Sequence, residues 1–349
     1  MPVDFDSGLT LADRMRRHAG DDSHLYAHLM RAMATDWEDG GPVRAICAGW
    51  DDAPSGSVVQ LRVLAGLFRI VLQERAPELE PFYPCLGGTA DPGGAWPAVR
   101  RVLAANVDEL ARALTIAPQT NEVGRSNALL AGIFPAVAGT GRRKVRLLEP
   151  GASAGLNLLV DAFRFTNQGW AYGPVGSPVV LADGIDGAVW PEPFEIVDRR
   201  GCDLSPVDVA TTEGRLRLRS FVWPFQVERH ERLSAALEVA AAMRPVVDRA
   251  PAGEWLERSL SRNVDDDVLT VVWQSVTRLY WPPEETARVT AAIAEAASRT
   301  AVAHVCMEYD DVERRPVLSV AWSSRPGSQL QAERLGTVGD HGFPVRLSA

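Results

Sequence analysis

The sequence predicts an α/β fold: a mainly parallel sheet with antiparallel last strands, preceded by an α-helical N-terminal lobe. Three observations lead to this prediction. Residues 1–140 place apolar residues mostly at helical spacing. After residue 141, short apolar runs alternate with helical segments, which is typical of parallel strands joined by crossover helices. The last two apolar runs have no long helix between them, so we expect the sheet to end in antiparallel strands.

The chain of 349 residues is long enough for two domains of ordinary size. We expect residues 1–140 to form a helical lid or substrate lobe, and residues 141–349 to form the α/β domain. Gly, Pro and Asp are frequent between residues 165 and 195. This composition predicts an insertion there, as a loop or hairpin.

Apolar spacing and capping signals predict the helices. They are Leu9–Ala19, Leu25–Ala34, Val58–Leu72, Val99–Leu114, Glu122–Val137, Gly155–Phe163, one that opens at Ser205-Pro206, Arg229–Met243, Gly253–Leu260 and Pro282–Arg299. Short apolar or β-branched runs predict the strands. They are Val145–Glu149, either Phe194–Val197 or Gly201–Leu204, Pro245–Val247, Val268–Trp273, Val302–Met307, Pro316–Trp322 and Phe343–Leu347.

Composition excludes several functional classes. A content of 46% hydrophobic and 23% charged residues is typical of a globular protein with a sizeable core. No run of about 18 apolar residues lacks a charge, and the N-terminus lacks the apolar core of a signal peptide, so we expect a cytoplasmic protein that is not bound to a membrane. A net charge of −9 argues against nucleic acid as a partner. The four cysteines show no metal-ligand spacing, which predicts reduced thiols and no metal site.

The sharpest local signal is the segment Glu149–Asn157. A predicted strand runs into a loop of small side chains, and a helix is predicted to begin at Gly155. Small side chains let the backbone approach a ligand closely, and the start of a helix offers unpaired N–H groups. Three residues separate Gly151 from Gly155, unlike the GxGxxG spacing of dinucleotide loops. With Glu149 at the strand end, this arrangement suits a positively charged cofactor that carries an amino acid and a nucleoside. A tight strand–helix turn without a ligand also accounts for these residues.

This segment, LLEPGASAGLNLL, resembles motif I of the class I S-adenosylmethionine (SAM)-dependent methyltransferases. The resemblance implies a Rossmann-like sheet and SAM as the cofactor. It also implies that the acid at the strand end and the small-residue loop hold the methionine part of the cofactor. The residues in these positions are Glu149, Gly151, Ala152, Ser153, Gly155 and Asn157.

The resemblance continues in the same order along residues 142–349. The segment GCDLSP looks like the end of the second strand, which implies that Asp203 and its neighbour Leu204 lie at the ribose hydroxyls. An acid after the third strand is expected to read the adenine; Asp248 is one candidate, and Pro251 occupies the other plausible position. The segment VVWQSV looks like the fourth strand and its loop, which implies that Gln274 contacts the cofactor.

Several phrases also resemble an uncharacterised bacterial family known as a domain of unknown function. They cover nearly the whole chain and read FYPCLGG, QTNEVGRS, LLEPGASAGLNLL, RRGCDLSPVDV, FVWP and DHG. This narrower resemblance implies no substrate.

Asn121, Glu122 and Arg125 lie within one turn at the start of the helix that precedes the first strand. If this helix runs back across the sheet, its start reaches the carboxyl ends of the strands, where ligands bind in open α/β sheets. We then expect these residues to face the substrate, with Arg125 able to grip a carboxylate. A capped helix with an internal ion pair is the structural alternative.

Aromatic residues offer further candidates for a substrate pocket, although most aromatic side chains are core. Of Trp223, Phe225, Trp273, Tyr280 and Trp281, the pair Tyr280 and Trp281 is expected at the rim, and Tyr280 is assigned to the substrate. His341 is either a base or a turn residue. No residue is designated as catalytic.

The resulting hypothesis is a SAM-dependent methyltransferase that acts on a small-molecule acceptor. Transfer of a sulfonium methyl group needs positioning and exclusion of water more than a strong catalytic dyad. The alternative is a protein that keeps the fold and binds SAM or a nucleotide without catalysis.

Overall fold

The computed structural model of the chain describes residues 8–119, 121–310, 312–323, 327–328 and 330–348. The helices are α1 (Leu11–Ala19), α2 (Leu25–Glu38), α3 (Pro42–Ile46), α4 (Val59–Leu72), α5 (Trp96–Ala105), α6 (Val107–Ala113), α7 (Ser126–Thr140), α8 (Thr212–Ser220), α9 (Val227–Met243), α10 (Ala252–Leu260) and α11 (Pro283–Ala297). The strands are β1 (Lys144–Pro150), β2 (Arg164–Asn167), β3 (Trp170–Tyr172), β4 (Val180–Ala182), β5 (Ile185–Asp186), β6 (Glu195–Asp203), β7 (Val247–Arg249), β8 (Val268–Ser275), β9 (Val302–Tyr309), β10 (Pro316–Ser323), β11 (Gln331–Val338) and β12 (Val345–Leu347).

The chain divides into two compact units. The first consists of Met1–Thr120 and Thr212–Glu231, and the second consists of Asn121–Thr211 and Arg232–Ala349. The boundary therefore follows residue 120 rather than residue 140, and a segment after β6 belongs to the first unit.

Apolar side chains of α1, α2 and α4 form much of the core of the first unit. Met15, Leu29, Met33, Leu64 and Phe68 are fully buried. The stretch Ser55–Leu72 is long and apolar enough to cross a membrane by length and composition alone, but 56% of it is buried inside the structure. A core helix passes the same test, and the packing of α4 accounts for its apolar composition.

Trp223 ties the returning segment to the first unit. Its ring centroid lies 5.3 Å from that of His24, 5.7 Å from that of Tyr26 and 5.5 Å from that of Phe225. The N–H of Cys85 donates a hydrogen bond to the carbonyl of Pro224 at 3.0 Å. Trp223 and Phe225 therefore pack inside this unit instead of lining the aromatic pocket considered above.

The second unit is built on a nine-stranded sheet in the order β5-β12-β11-β10-β9-β8-β1-β6-β7. Strands β9, β8, β1, β6 and β7 run parallel to one another. Strands β10, β11 and β12 extend the sheet in antiparallel pairs. The α/β class and the antiparallel end are as predicted, but the sequence analysis did not anticipate β11, whose first four residues are exposed. Strands β2, β3 and β4, which lie between β1 and β6 in the chain, form a separate sheet.

Three predicted helices differ from the structure. The stretch expected at Val99–Leu114 is two helices separated by Asn106, whose side-chain amide donates to the carbonyl of Val102. The stretch expected at Gly155–Phe163 is a 3-10 helix, Leu156–Ala162, with a kink at Leu159. No helix opens at Ser205. The Asp203 carboxylate accepts from the N–H of Ser205 at 2.8 Å, Asp208 accepts from the N–H of Ala210 at 2.9 Å, and the next helix begins at Thr212.

Helix α7 packs against the sheet through two glycines, which explains why residues 121–140 belong to the second unit. A Cβ on Gly132 would overlap the side chain of Val305 in β9, and a Cβ on Gly139 would lie 2.5 Å from the indole nitrogen of Trp322 in β10. Only a residue without a side chain permits this approach.

We expect Gly132→Ala to lower the free energy of unfolding by about 1–3 kcal/mol, because the added methyl overpacks a rigid helix–sheet contact. Urea unfolding of the purified variant measures this loss. Gly176→Ala is the matched control, since a Cβ there meets no atom within 4 Å. Equal stability of the two variants would contradict the packing described for α7.

Candidate functional site

The site lies where the chain reverses its direction of progress across the sheet. From the central strand β1 the chain adds β6 and β7 on one side, and then adds β8 and β9 on the other. In open α/β sheets, ligands bind beside the carboxyl ends of the strands at such a switch point. Here the loop after β1, residues 151–155, and the loop after β8, residues 276–282, border that position.

The backbone N–H groups of the loop after β1 all donate hydrogen bonds to other groups of the protein. The N–H groups of Gly151 and Ala152 both donate to the carbonyl of Cys202, and that of Gly155 donates to the carbonyl of Ala152. The remaining amides, those of Ser153, Ala154 and Leu156, donate to the side chains of Asp203 and Asn121. The expectation of unpaired N–H groups at this helix start is therefore wrong for every residue from 151 to 156.

Packing accounts for both glycines of the loop. Gly151 and Gly155 have φ values of 80° and 75°, a region that disfavours side chains. A Cβ on Gly151 would lie 2.6 Å from Cγ2 of Thr277, and one on Gly155 would lie 2.9 Å from Cγ2 of Val247. Both glycines are thus required by the protein itself.

Glu149 ends up in an unusual environment. Its side chain is 3% exposed, and its Oε2 is buried without a hydrogen-bond partner among the described residues. Burial raises the pKa of Glu149 to about 8, although the side chain of Asn157 and the charge of Arg125 act to lower it. With this pKa, Glu149 is mostly protonated at neutral pH.

Arg125 lies close to Glu149 and is poorly satisfied. Its two terminal nitrogens donate only long hydrogen bonds, to the carbonyls of Ser275 at 3.5 Å and Asp340 at 3.4 Å. Its Nε is buried without a partner, and within the described part of the chain no carboxylate comes within ion-pair distance of it.

The helix expected from Glu122 begins with the 3-10 turn Val123–Arg125 and continues as α7.

The side chains of Asn121 and Asn157 connect the start of α7 to the residues that follow β1. The side-chain oxygen of Asn121 accepts hydrogen bonds from the N–H groups of Ala154 and Leu156, at 3.2 Å and 3.0 Å. The buried side chain of Asn157 accepts a hydrogen bond from the hydroxyl of Ser126 at 2.8 Å. The start of α7 therefore lies against the loop after β1, as expected, with Asn121 acting as a structural cap.

Asp203 and Leu204 lie at the end of β6, beside this loop. The Asp203 carboxylate accepts hydrogen bonds from the N–H groups of Ser153 and Ser205. Leu204 is 70% exposed, and its carbonyl accepts a hydrogen bond from Arg249. Asp203 thus joins two loops, and its ribose role stays a prediction.

Asp248 and Gln274 are already engaged by other side chains. Both oxygens of Asp248 accept from Arg200, at 2.7 Å and 2.8 Å, and one also accepts from the indole N–H of Trp255. The hydrogen bond from Arg200 lowers the pKa of Asp248. Gln274 is 2% exposed, donates to Glu308 and contacts His304 at 3.1 Å. Both side chains are thus engaged by other protein groups, and the contact of Asp248 with adenine and that of Gln274 with the cofactor stay predictions.

Glu308, at the end of β9, is a hub that the sequence analysis missed. One carboxylate oxygen accepts from the amide of Gln274 and from both the N–H and the hydroxyl of Thr277, at 2.8–2.9 Å. The preceding residue, Val276, has a φ of 52°, which is unusual for a β-branched residue. Together these contacts fix the loop after β8 against Gly151. An acid directly after the apolar run that ends at Met307 was the available signal.

Tyr309 and Asp340 complete the edge beside Arg125. The Tyr309 hydroxyl donates to the Asp340 carboxylate at 2.7 Å, and the charge of Arg125 acts on the same hydroxyl. Tyr280 is 68% exposed and also acts electrostatically on Tyr309. His341 follows directly, with Nδ1 3.8 Å from the Glu122 carboxylate. Trp273, by contrast, is fully buried in β8.

The four cysteines are free, and all but Cys85 are buried. Burial raises the pKa of Cys47, Cys202 and Cys306 to about 12 and that of Cys85 to about 11. Among the described residues, no group of three or more His, Cys, Asp or Glu side chains could hold a metal ion.

A family model described as "Uncharacterized protein conserved in bacteria (DUF2332)" matches residues 10–346. The chain belongs to this family. The match covers every phrase on which the narrower resemblance rested, from FYPCLGG to DHG. No match is found among curated proteins or among solved structures.

In this DUF2332 member, the carboxyl edge of the sheet therefore combines two kinds of group. The amides of residues 151–156 are saturated, whereas three buried side-chain atoms find no hydrogen-bond partner in the described part of the chain: Glu149 Oε2, Ser153 Oγ and Arg125 Nε. Buried polar atoms without partners are rare in proteins and call for an explanation. A ligand that offers both a cationic and an anionic group would satisfy them.

Proposed function

We propose that the protein is a SAM-dependent methyltransferase that acts on a small-molecule acceptor. One observation carries the proposal: the unpartnered atoms of Glu149, Ser153 and Arg125 lie at the switch point of a Rossmann-like sheet. The amino-acid end of SAM carries an ammonium and a carboxylate, which complement Glu149 and Arg125 respectively.

The saturated amides favour SAM over a nucleotide. Loops that bind phosphate do so with several free N–H groups at a helix start. The loop after β1 has none between residues 151 and 156. A ligand without phosphate, held by side chains, fits this loop better than a dinucleotide or ATP.

In this proposal Glu149, Ser153 and Arg125 bind the amino-acid end, and Asp203, at the end of β6 beside the loop after β1, takes the ribose hydroxyls. The bound cofactor supplies an electrophilic methyl group. The residues of this chain orient that group and the acceptor and keep water away. Tyr280 is proposed to contact the acceptor. The net charge of −9 favours a small acceptor over nucleic acid.

We expect Arg125→Gln to weaken SAM binding by about ten- to a hundredfold, which corresponds to the loss of one charge-assisted pair of about 1.5–3 kcal/mol. Equilibrium dialysis with labelled SAM measures this change. Lys144→Gln is the matched control, because Lys144 is a cation at the opposite end of β1, paired with Asp267.

The same dialysis separates the alternatives. Binding of SAM without methylation of any acceptor favours a non-catalytic SAM-binding protein. Tighter binding of ATP than of SAM contradicts the proposal, and so does an Arg125→Gln variant that binds SAM as tightly as the wild type.

A further inference from the structure

A buried carboxylate and a partly exposed imidazole meet beside Arg125, and the proposed function gives them no role so far. Glu122 is 5% exposed, and its Oε1 accepts a hydrogen bond from the N–H of Gly124 at 3.1 Å. Its Oε2 lies 3.8 Å from Nδ1 of His341, whose side chain is 45% exposed. A fixed carboxylate thus faces one nitrogen of a ring that reaches the surface.

The backbone around His341 is tightly held. A Cβ on Gly124 would overlap the carbonyl oxygen of His341, and a Cβ on Gly342 would overlap the backbone of Gly124 and Arg125. The N–H of Gly342 donates to the carbonyl of Gly339 at 2.8 Å. These close approaches give the His341 backbone one position beside the turn that carries Arg125.

We propose that His341 is the general base for the methyl acceptor and that Glu122 is the positioning residue that sets its tautomer. This inference rests on the proposed methyltransferase function. A carboxylate beside Nδ1 favours the proton on that nitrogen and leaves the lone pair on Nε2, where it can accept a proton. The 3.8 Å separation is longer than a hydrogen bond, but such contacts commonly shorten when substrate binds.

The step balances as a single displacement. The O–H or N–H proton of the acceptor passes to Nε2 of His341, and the electron pair of the heteroatom forms the new bond to the methyl carbon. The electron pair of the broken C–S bond stays on the sulfur. The imidazolium then returns its proton to solvent through its exposed edge.

Charged side chains surround this part of the chain. The Glu122 carboxylate lies 3.8 Å from Nδ1 of His341. Arg125 donates to the backbone carbonyl of the neighbouring Asp340, and the Arg232 guanidinium lies 4.8 Å from the ring centroid of Phe343. The Tyr309 hydroxyl donates to one Asp340 carboxylate oxygen. Because Glu122 is buried, water screens its charge less than that of an exposed group.

Nitrogen-15 NMR of the His341 ring tests the pair without any turnover. We expect the neutral ring to carry its proton on Nδ1 in the wild type, and Glu122→Gln to shift the population towards the Nε2–H tautomer. His341→Gln assigns the signal by removing it. A predominantly Nε2–H ring in the wild type, or a tautomer ratio that Glu122→Gln leaves unchanged, would overturn the proposal.

Turnover with methyl-labelled SAM and a panel of small hydroxyl and amine acceptors tests the base. We expect His341→Gln to lower kcat about 10²–10⁴-fold with the Kd of SAM unchanged. Glu122→Gln should move the acid limb of the pH–rate profile to lower pH, and Glu122→Asp should restore part of the rate. Wild-type turnover by His341→Gln overturns the proposal. A wild-type protein that binds no SAM refutes the proposed function instead. In that case the tautomer measurement alone tests whether Glu122 positions the His341 ring.

Discussion

At pH 7, the free energy of unfolding of Glu149→Gln is expected to be about 3 kcal/mol higher than that of the wild type. The buried carboxyl has a pKa of about 8 in the folded protein against 4.5 as its ordinary value. Unfolding at pH 7 therefore releases a proton and lets the carboxylate hydrate, which costs the folded wild type about 1.4 kcal/mol for each pH unit above 4.5. Glutamine has nearly the same shape and no ionised form.

The sign of this effect fixes its pH window. A raised carboxyl pKa leaves the folded state fully stable below about pH 4.5 and costs stability progressively as the pH rises to about 8. Urea unfolding at pH 5, 7 and 9 should show the advantage of Glu149→Gln growing and then levelling off. The exposed Glu195 supplies the control, Glu195→Gln, for which we expect no such trend. An advantage that does not change with pH would contradict the assigned environment of Glu149.

Glu308→Ala is expected to cost about 3–5 kcal/mol of unfolding free energy. Its removal leaves the Gln274 amide and the N–H and hydroxyl of Thr277 without their acceptor, all in a buried position. Each buried donor left without a partner costs about 1–3 kcal/mol, and relaxation recovers part of the sum.

The companion variant Glu308→Gln keeps one acceptor oxygen, so it should lose markedly less unfolding free energy than Glu308→Ala. Urea unfolding compares the two. Because Thr277 packs against Gly151, we also expect Glu308→Ala to weaken SAM binding. A Glu308→Ala protein as stable as Glu308→Gln would show that the hub does not hold the loop after β8.

The sequence was sufficient to predict the parallel half of the sheet, because buried parallel strands are marked by apolar and β-branched runs. Strand β8, with seven of its eight residues buried, is the clearest case. Strand β11 escaped prediction, since its first four residues are exposed and three of them are polar. The second strand was split between two candidates, both of which overlap the single β6.

Tertiary packing decided what sequence patterns could not. Helix α7 is apolar on nearly all sides, so nothing in its sequence indicated that it packs on the sheet through Gly132 and Gly139. Similarly, a stretch that is polar at its start, residues 212–231, belongs to the first unit because of Trp223. Local spacing does not report such long-range contacts.

For the site, the sequence indicated the right edge of the sheet but not how its donors are used. Proximity of Glu149, Asp203, Asn121 and Arg125 followed from strand order and the path of α7. The saturation of the loop amides depends on Asn121 and Cys202, which are distant in sequence from most of the groups they bind. Likewise, the engagement of Asp248 by Arg200 follows from the pairing of β6 with β7.

Calorimetric titration of the wild-type protein with SAM, at pH 6.5 in two buffers of different ionisation enthalpy, tests the central claim most directly. Glu149 is mostly protonated at that pH, and a cationic ligand beside it should expel the proton. We therefore predict binding with the release of up to one proton, seen as a buffer-dependent heat, and weaker binding without that dependence in Glu149→Gln. An absence of binding, or equal heats in both buffers, would contradict the account.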